Sequence, residues 1–167
     1  SEMCIRDSNL ILQDIDNGIE FLSKNYNLDM TRIHAIGFGY GGYLALMSAI
    51  NYPNRYNSIA VVDPITDLSD FPDYMKGSLN GMFPQLIGLD TVSKELSPIN
   101  HASKFKANIL LISDKKSRYH DQVKNMHKQL KSESKTVRLQ VFKTKHGNWD
   151  AKVRNIILTE IDDFLES

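Results

Sequence analysis

The stretch RIHAIGFGYGGYLALMSAI, residues 32–50, decides the fold because its pattern changes halfway along. Residues 32–38 form a short apolar run that predicts a buried β-strand. Four glycines lie within residues 37–42, and the apolar run that follows, residues 43–50, is long enough for a helix ending before Pro53. The stretch therefore predicts a strand, a tight glycine-rich turn and a helix.

The turn Gly37-Phe38-Gly39-Tyr40-Gly41-Gly42 has the form of the nucleophile elbow G-x-S-x-G. Such an elbow needs small residues two before and two after its centre because the strand turns sharply into the helix, and Gly37 and Gly41 meet that need. The centre normally carries a serine. Here it is Gly39, which tolerates the strained backbone and supplies no oxygen nucleophile.

The same residues also spell G-x-G-x-x-G, the dinucleotide-binding fingerprint, between a predicted strand and a predicted helix. That motif requires an acidic residue about 20 positions further on, at the end of the next strand. Asp63 follows Gly42 by 21 residues and ends the run SIAVVD. Spacing alone therefore leaves both interpretations of the turn open.

The rest of the chain continues to alternate between strand and helix patterns. Further strands are predicted at residues 58–63, 108–112 and 136–142. Helices are predicted at about residues 10–25, with Leu12, Ile15, Ile19 and Leu22 inward, at about residues 150–165, and around an apolar face of Val123, Met126, His127 and Leu130. This alternation predicts an α/β fold with a mostly parallel sheet and helices on both faces.

Composition sets limits on size and partners. A chain of 167 residues is one domain at most, with 20 basic and 20 acidic side chains in balance. Neutral balance gives no electrostatic case for nucleic acid, and no run approaches the roughly 18 apolar residues of a membrane span. Residues 1–8 have no periodicity and are predicted to be a non-native or disordered leader, so the domain is placed at 9–167.

Several segments match one family in order and spacing. They are Asp29-x-x-Arg32-Ile33, the turn with Tyr40-Gly41-Gly42-Tyr43, Pro64-x-Thr66-Asp67, Ser97-Pro98-Ile99-Asn100-His101, and Lys145-His146-Gly147-Asn148-Trp149. Together they resemble the catalytic domain of the prolyl oligopeptidase family of serine peptidases. The resemblance implies the C-terminal half of an α/β-hydrolase fold. It also favours the elbow interpretation, because the dinucleotide fingerprint accounts for only one of these segments.

The resemblance implies a role for several residues. His146 takes the place of the catalytic histidine, and the backbone N–H of Tyr40 takes that of an oxyanion donor. The family's acid loop has drifted here, leaving Asp114 and then Asp121 as candidates to orient His146. Asp121 also resembles a helix N-cap. With Gly39 at the nucleophile position, the sequence predicts no serine-hydrolase turnover, and it indicates no cofactor and no metal.

Three functions stay open at this point. The chain is a hydrolytically inactive peptidase-family domain that binds peptide or acyl ligands, an active hydrolase whose serine was replaced by engineering or error, or a nucleotide-binding protein. The strands that precede the elbow strand in the family fold are not in the sequence. The chain is therefore expected to be a fragment, completed by the N-terminal part of the domain or by a second copy.

Overall fold

The computed structural model describes residues 2–69, 94–144 and 150–167, with residues 2–9 described by their backbone alone. The order is α1 (Glu2–Asn25), β1 (His34–Phe38), α2 (Tyr40–Asn51), β2 (Ser58–Val62), a 3-10 helix (Pro98–Lys104), β3 (Asn108–Asp114), α3 (His120–Ser132), β4 (Val137–Phe142) and α4 (Ala151–Glu166). Every predicted strand and helix is present. Helix α1 begins at Glu2 rather than near residue 10, and whether residues 1–8 are native stays a prediction.

The strands form one parallel sheet in the order β1-β2-β3-β4. Phe38 lies opposite Val62, and Val62 lies opposite Ile112. The residues that follow these strands therefore meet at one edge of the sheet, where α/β folds place their ligands. Gly39, Asp63 and the end of β3 all lie at this edge.

The two faces of the sheet pack against different helices because successive strand residues point to opposite sides. One face, with Ile59, Val61, Ile109 and Leu111, packs into a core shared with α2 and α3. The other face, with Ala60, Val62, Leu110 and Ile112, packs against Ile157, Ile161 and Phe164 of α4. Strands β2 and β3 are buried on both sides, which explains their continuous apolar sequence.

Helix α1 is less buried than its pattern predicts. Leu12 is buried, but Ile15 and Leu22 are 38% and 46% exposed, so the prediction that they face inward is wrong. Asp16 is buried instead, and its Oδ1 accepts a hydrogen bond from Arg55 Nε at 2.6 Å. An ion pair as well as Leu12 therefore holds α1 against the segment after α2.

Helix α3 keeps most of its predicted inward face. Val123, Met126 and Leu130 are fully buried, whereas His127 is only half-buried. Gln122 is also buried, which the sequence did not predict. Its Oε1 accepts hydrogen bonds from the backbone N–H groups of residues 66 and 67, both at 3.1 Å. Helix α3 thereby fixes the turn that follows β2.

The same turn also contacts the segment 97–101. The buried Ser97 Oγ accepts the N–H of Leu68 at 2.9 Å, and the Ile99 N–H donates to Thr66 O at 3.0 Å. Two motifs that lie 30 residues apart in the sequence are thus joined by hydrogen bonds. Their role in the described residues is to shape the edge of the sheet.

Candidate active site

A single residue, Gly39, connects β1 to α2. Its backbone has φ 54° and ψ −116°, a left-handed conformation that L side chains adopt only under strain. Its N–H donates to Val62 O at 2.9 Å, and its carbonyl accepts the Tyr43 N–H at 3.1 Å. A Cβ added at Gly39 would meet no atom of the described residues within 4 Å. The turn is the sharp strand-to-helix bend of an elbow, with open space above its centre.

The glycines around the centre are constrained unequally. A Cβ on Gly37 would overlap the carbonyl oxygen of Gly41, as the elbow prediction requires. A Cβ on Gly41 itself would meet nothing within 4 Å in the described part of the chain, so the predicted crowding is not seen at that position. The second tight contact is at Gly42, whose added Cβ would lie 3.0 Å from Pro64 Cβ.

Tyr40 is the first residue of α2, where a backbone N–H has no acceptor within the helix. Within the described residues no hydrogen bond occupies this N–H. It therefore has the position and the donor capacity expected of an oxyanion donor. The Tyr40 ring is 46% exposed and stacks on the buried ring of Tyr43, with 5.6 Å between centroids.

Asp114, the predicted acid, ends β3 and is 2% exposed. Its Oδ2 accepts Thr144 Oγ1 at 2.5 Å, while Oδ1 accepts the N–H of Lys116 at 3.0 Å and that of Thr144 at 3.3 Å. Burial alone would raise the pKa of Asp114, but these hydrogen bonds outweigh it and hold the pKa below its ordinary value. The carboxylate ties the end of β3 to the segment after β4.

The other two predicted triad residues differ in their outcome. His146 lies outside the described residues, although Thr144, two residues before it, is bonded to Asp114. Asp121 has an 87% exposed side chain 3.8 Å from Lys124 Nζ. Tyr119, not Asp121, occupies the N-cap of α3, so the cap interpretation is wrong.

Asp63 is the residue whose surroundings the sequence did not predict. Its Oδ1 accepts Ser113 Oγ at 2.9 Å and the Asp114 N–H at 3.2 Å, and the Ser117 side chain is a third donor. Ser113 Oγ also lies 3.0 Å from Nδ1 of His120. Burial raises the pKa of Asp63 even though these hydrogen bonds act in the opposite direction. The sequence signal that could have identified Asp63 is a charged residue directly after a buried strand.

These elements line an open depression of about 470 Å³, which we call the crevice. Its floor is Gly39, and its walls come from the ends of β2 and β3. Its lining residues are Phe38, Gly39, Val62, Asp63, Asp114, Lys116, Ser117, Arg118 and Tyr119. Among the residues with described side chains, no group of three His, Cys, Asp or Glu residues is placed to hold a metal ion.

A parallel sheet covered on both faces, with a strained turn between a strand and a helix at its carboxyl edge, defines the class as the α/β-hydrolase fold. The sequence also matches the model of the prolyl oligopeptidase family over residues 9–167. The chain belongs to the prolyl oligopeptidase family. Both the predicted family and the predicted C-terminal half of an α/β-hydrolase fold are therefore confirmed.

Solved structures of peptidases and an esterase have the same fold. Pyrococcus horikoshii acylaminoacyl peptidase is 27% identical, with a TM-score of 0.73, over 93% of this chain and 26% of that chain. A putative dipeptidyl aminopeptidase IV from Bacteroides ovatus is 21% identical, with a TM-score of 0.75, over 93% and 22%. Esterase B from Lactobacillus rhamnosis is 17% identical, with a TM-score of 0.73, over 93% and 61%.

This chain thus spans only about a quarter of the length of those peptidases. The sequence has no match among curated proteins. In the described part of the chain, no helix has the length and apolar character that a membrane crossing needs.

Proposed function

We propose that this chain is the C-terminal part of a prolyl oligopeptidase-type catalytic domain that binds peptide or acyl ligands but forms no covalent acyl-enzyme. The observation that carries the proposal is Gly39, which holds the backbone of a nucleophile elbow without a nucleophile. In a well-studied serine protease, loss of the serine alone lowers turnover by about 10⁶-fold. Binding and oxyanion stabilisation do not depend on that side chain.

Neither nearby serine replaces the missing hydroxyl. Ser113 is fully buried, and its Oγ is engaged by Asp63 and His120. Ser117 lines the crevice but stands after β3, two strands away from the elbow strand, and it donates to Asp63. A nucleophile must lie beside the oxyanion donor, and that place belongs to residue 39.

A fluorophosphonate probe tests this function because it labels an activated serine. We expect no labelling of the chain itself and labelling of Gly39→Ser. Gly39→Ala, which adds a Cβ without oxygen, is the matched control and must stay unlabelled. Labelling of the unchanged chain would refute the proposal. An unlabelled Gly39→Ser that melts cooperatively would mean that the site has changed at more than one residue.

The same experiment separates the proposal from an active hydrolase whose serine was lost by engineering or error. In that case Gly39→Ser is expected to hydrolyse peptides and be labelled as fast as a complete serine hydrolase. His146→Ala added to Gly39→Ser then tests the histidine. Loss of labelling in the double variant would support the role of His146 as the base.

Nucleotide binding is the second candidate, and the position of Asp63 at the end of β2 favours it. One observation opposes it. Within the described residues β4 pairs with β3 and no strand pairs with the free side of β1, so the strand order does not reverse at the glycine turn. Thermal stabilisation by NAD would revive this candidate.

We further propose that the remaining, upstream part of an α/β-hydrolase domain packs along β1. Within the described residues β1 is an edge strand, and Ile36 and Phe38 on it are 51% and 43% exposed. They project to the face on which α4 packs mainly against β2 and β3. Ile15 and Leu22 of α1, which packs against α2 on the other side of the sheet, are also exposed.

Co-expression with an upstream hydrolase segment tests this partner. We expect a stable complex and a higher melting temperature for the chain in it. Ile36→Lys is expected to abolish the complex, whereas Ile156→Lys on α4, also exposed, is the control. Light scattering of the chain alone tests the alternative partner. A dimer that Ile36→Lys disrupts would mean that a second copy of the chain, not the upstream segment, packs along β1.

A further inference from the structure

Asp63 combines features that belong to a functional carboxylate rather than to a structural one. It lies in the crevice next to Val62, whose carbonyl accepts the N–H of Gly39. Its backbone has φ 45°, and strain of this kind in a non-glycine residue concentrates at functional sites. Asp63 is half-buried and lines the crevice, so part of it remains accessible.

A hydrogen-bonded chain links Asp63 to the outside of the crevice. The Ser113 hydroxyl donates to Asp63 Oδ1 at 2.9 Å, which leaves its oxygen to accept from Nδ1–H of the half-buried His120 at 3.0 Å. A carboxylate has about four lone-pair sites, and Ser113, Ser117 and the Asp114 N–H use three. Capacity for one further donor in the crevice remains.

We propose that Asp63 is a general base that activates a water molecule above Gly39 for direct hydrolysis of activated acyl esters, without an acyl-enzyme. This activity goes beyond the binding function proposed above. No atom of the described residues lies within 4 Å of a Cβ placed on Gly39, which leaves room among them for a water molecule where a serine oxygen would otherwise stand. The oxyanion donor, the Tyr40 N–H, lies beside it at the start of α2.

The step balances with groups present in the crevice. Asp63 takes one proton from water while the water oxygen bonds to the acyl carbon. The negative charge moves to the former carbonyl oxygen, next to the Tyr40 N–H. When this intermediate collapses, the acyl–oxygen bond breaks and a nitrophenyl ester releases nitrophenolate, which needs no proton. Asp63 then returns its proton to solvent.

Two carboxylates with opposite environments support this role. Burial raises the pKa of Asp63, whereas hydrogen bonds hold that of Asp114 down. Pairs of titratable groups whose pKa values are pushed apart mark acid–base sites. Among the described residues, the charged or titratable side chains around Asp63 are Asp114, Lys116, Arg118, Tyr119 and His120.

Hydrolysis of 4-nitrophenyl acetate by the 167-residue chain tests the proposal. We expect a rate above buffer that fluorophosphonate pretreatment leaves unchanged, which excludes contaminating serine esterases. Asp63→Asn is expected to lose at least about 10-fold, since general base catalysis contributes 10²–10⁴-fold. Asp162→Asn, an exposed carboxylate on α4, is the matched control and is expected to retain the full rate.

Either of two results would overturn the proposal: no rate above buffer from the folded chain, or an equal rate from a folded Asp63→Asn. If Asp63→Asn does not melt cooperatively, Ser113→Ala provides the second test. It removes one hydrogen bond to the charged form, so the midpoint of the pH–rate profile is expected to rise. An unchanged midpoint would also overturn the proposal. None of these results depends on labelling of Gly39→Ser.

Discussion

Asp63 and Asp114 end neighbouring strands of the same sheet, yet their surroundings give the two carboxyls opposite properties. Asp114 is 2% exposed and is bonded to Thr144 and to backbone N–H groups, so its pKa lies below the ordinary value. Asp63 is more exposed, but burial dominates and its pKa lies above the ordinary value. The hydrogen bonds outweigh desolvation at Asp114 and do not outweigh it at Asp63.

The difference lies in what the hydrogen bonds connect. Those of Asp114 join the end of β3 to the segment after β4, so they contribute to stability. Those of Asp63 come from Ser113, Ser117 and a backbone N–H, and Asp63 lines the same crevice as Gly39. One strand end is organised for stability and the other for chemistry.

The largest expected effect is on stability at Asp114. Asp114→Asn replaces a buried acceptor by an amide whose NH₂ cannot accept from Thr144 Oγ1, and it removes charge-assisted bonds. We expect a loss of about 2–4 kcal/mol in the free energy of unfolding, measured by urea denaturation. Asp121→Asn, at an exposed carboxylate, is the control and is expected to change stability by less than about 0.5 kcal/mol. Equal changes in stability for the two variants would contradict the structural role of Asp114.

A smaller loss of stability is expected from changes at Thr144, the residue that donates a hydrogen bond to Asp114. Thr144→Val keeps the shape of the side chain and removes its hydroxyl from Asp114 Oδ2. The expected cost is about 1.5–3 kcal/mol, the range for a hydrogen bond to a charged group. Thr144→Ser keeps the hydroxyl and is expected to recover most of the loss. Thr159→Val, on the exposed side of α4, is the control. No difference between the valine variants would show that the hydroxyl contributes nothing.

The pH dependence of stability is expected to have opposite signs at the two residues. The folded pKa of Asp114 is lowered, so its contribution is present above the unfolded pKa and is lost as pH falls through the folded value. The folded pKa of Asp63 is raised, so its contribution is complete below the unfolded pKa and is lost as pH rises through the folded value.

Urea denaturation across pH 3–8 measures these signs by comparison with the unchanged chain. Asp63→Asn is expected to gain stability relative to the unchanged chain as pH rises to neutrality. The expected gain is at most about 1 kcal/mol. The stability deficit of Asp114→Asn relative to the unchanged chain is expected to grow as pH rises through the acidic range, because only the unchanged chain gains the contribution of the ionised Asp114. Parallel curves for the two variants would contradict the assigned environments.

The fold and the elbow were predictable because their sequence signals are local. Residues 32–50 contain the strand, the turn and the helix in one stretch, and β2 and β3 are continuous apolar runs. The backbone demanded at Gly39 was also predictable, since the motif fixes it. The exposure of Ile15 and Leu22 was not, because helical periodicity shows which residues share a face but not what covers it.

The chemistry around the crevice depended on contacts between distant residues. Asp63 and Ser113 are 50 residues apart, and Asp114 and Thr144 are 30 apart. No spacing rule connects these residues, because they lie at the ends of strands that are joined by segments of variable length. The sequence therefore identified Asp114 as a candidate acid and could not show that its oxygens were already engaged.

The smallest expected effect concerns the helix that starts at the elbow. Gly41→Ala adds a Cβ that meets nothing within 4 Å, and alanine is the better helix former, so we expect a gain of up to about 0.5–1 kcal/mol. Gly42→Ala places its Cβ 3.0 Å from Pro64 and is expected to destabilise, which makes it the matched control. Thermal melting of both variants measures the difference. If the upstream part of the domain packs against this turn, the gain from Gly41→Ala is expected to disappear in the complex. A gain that persists in the complex would place the partner's contacts elsewhere along β1.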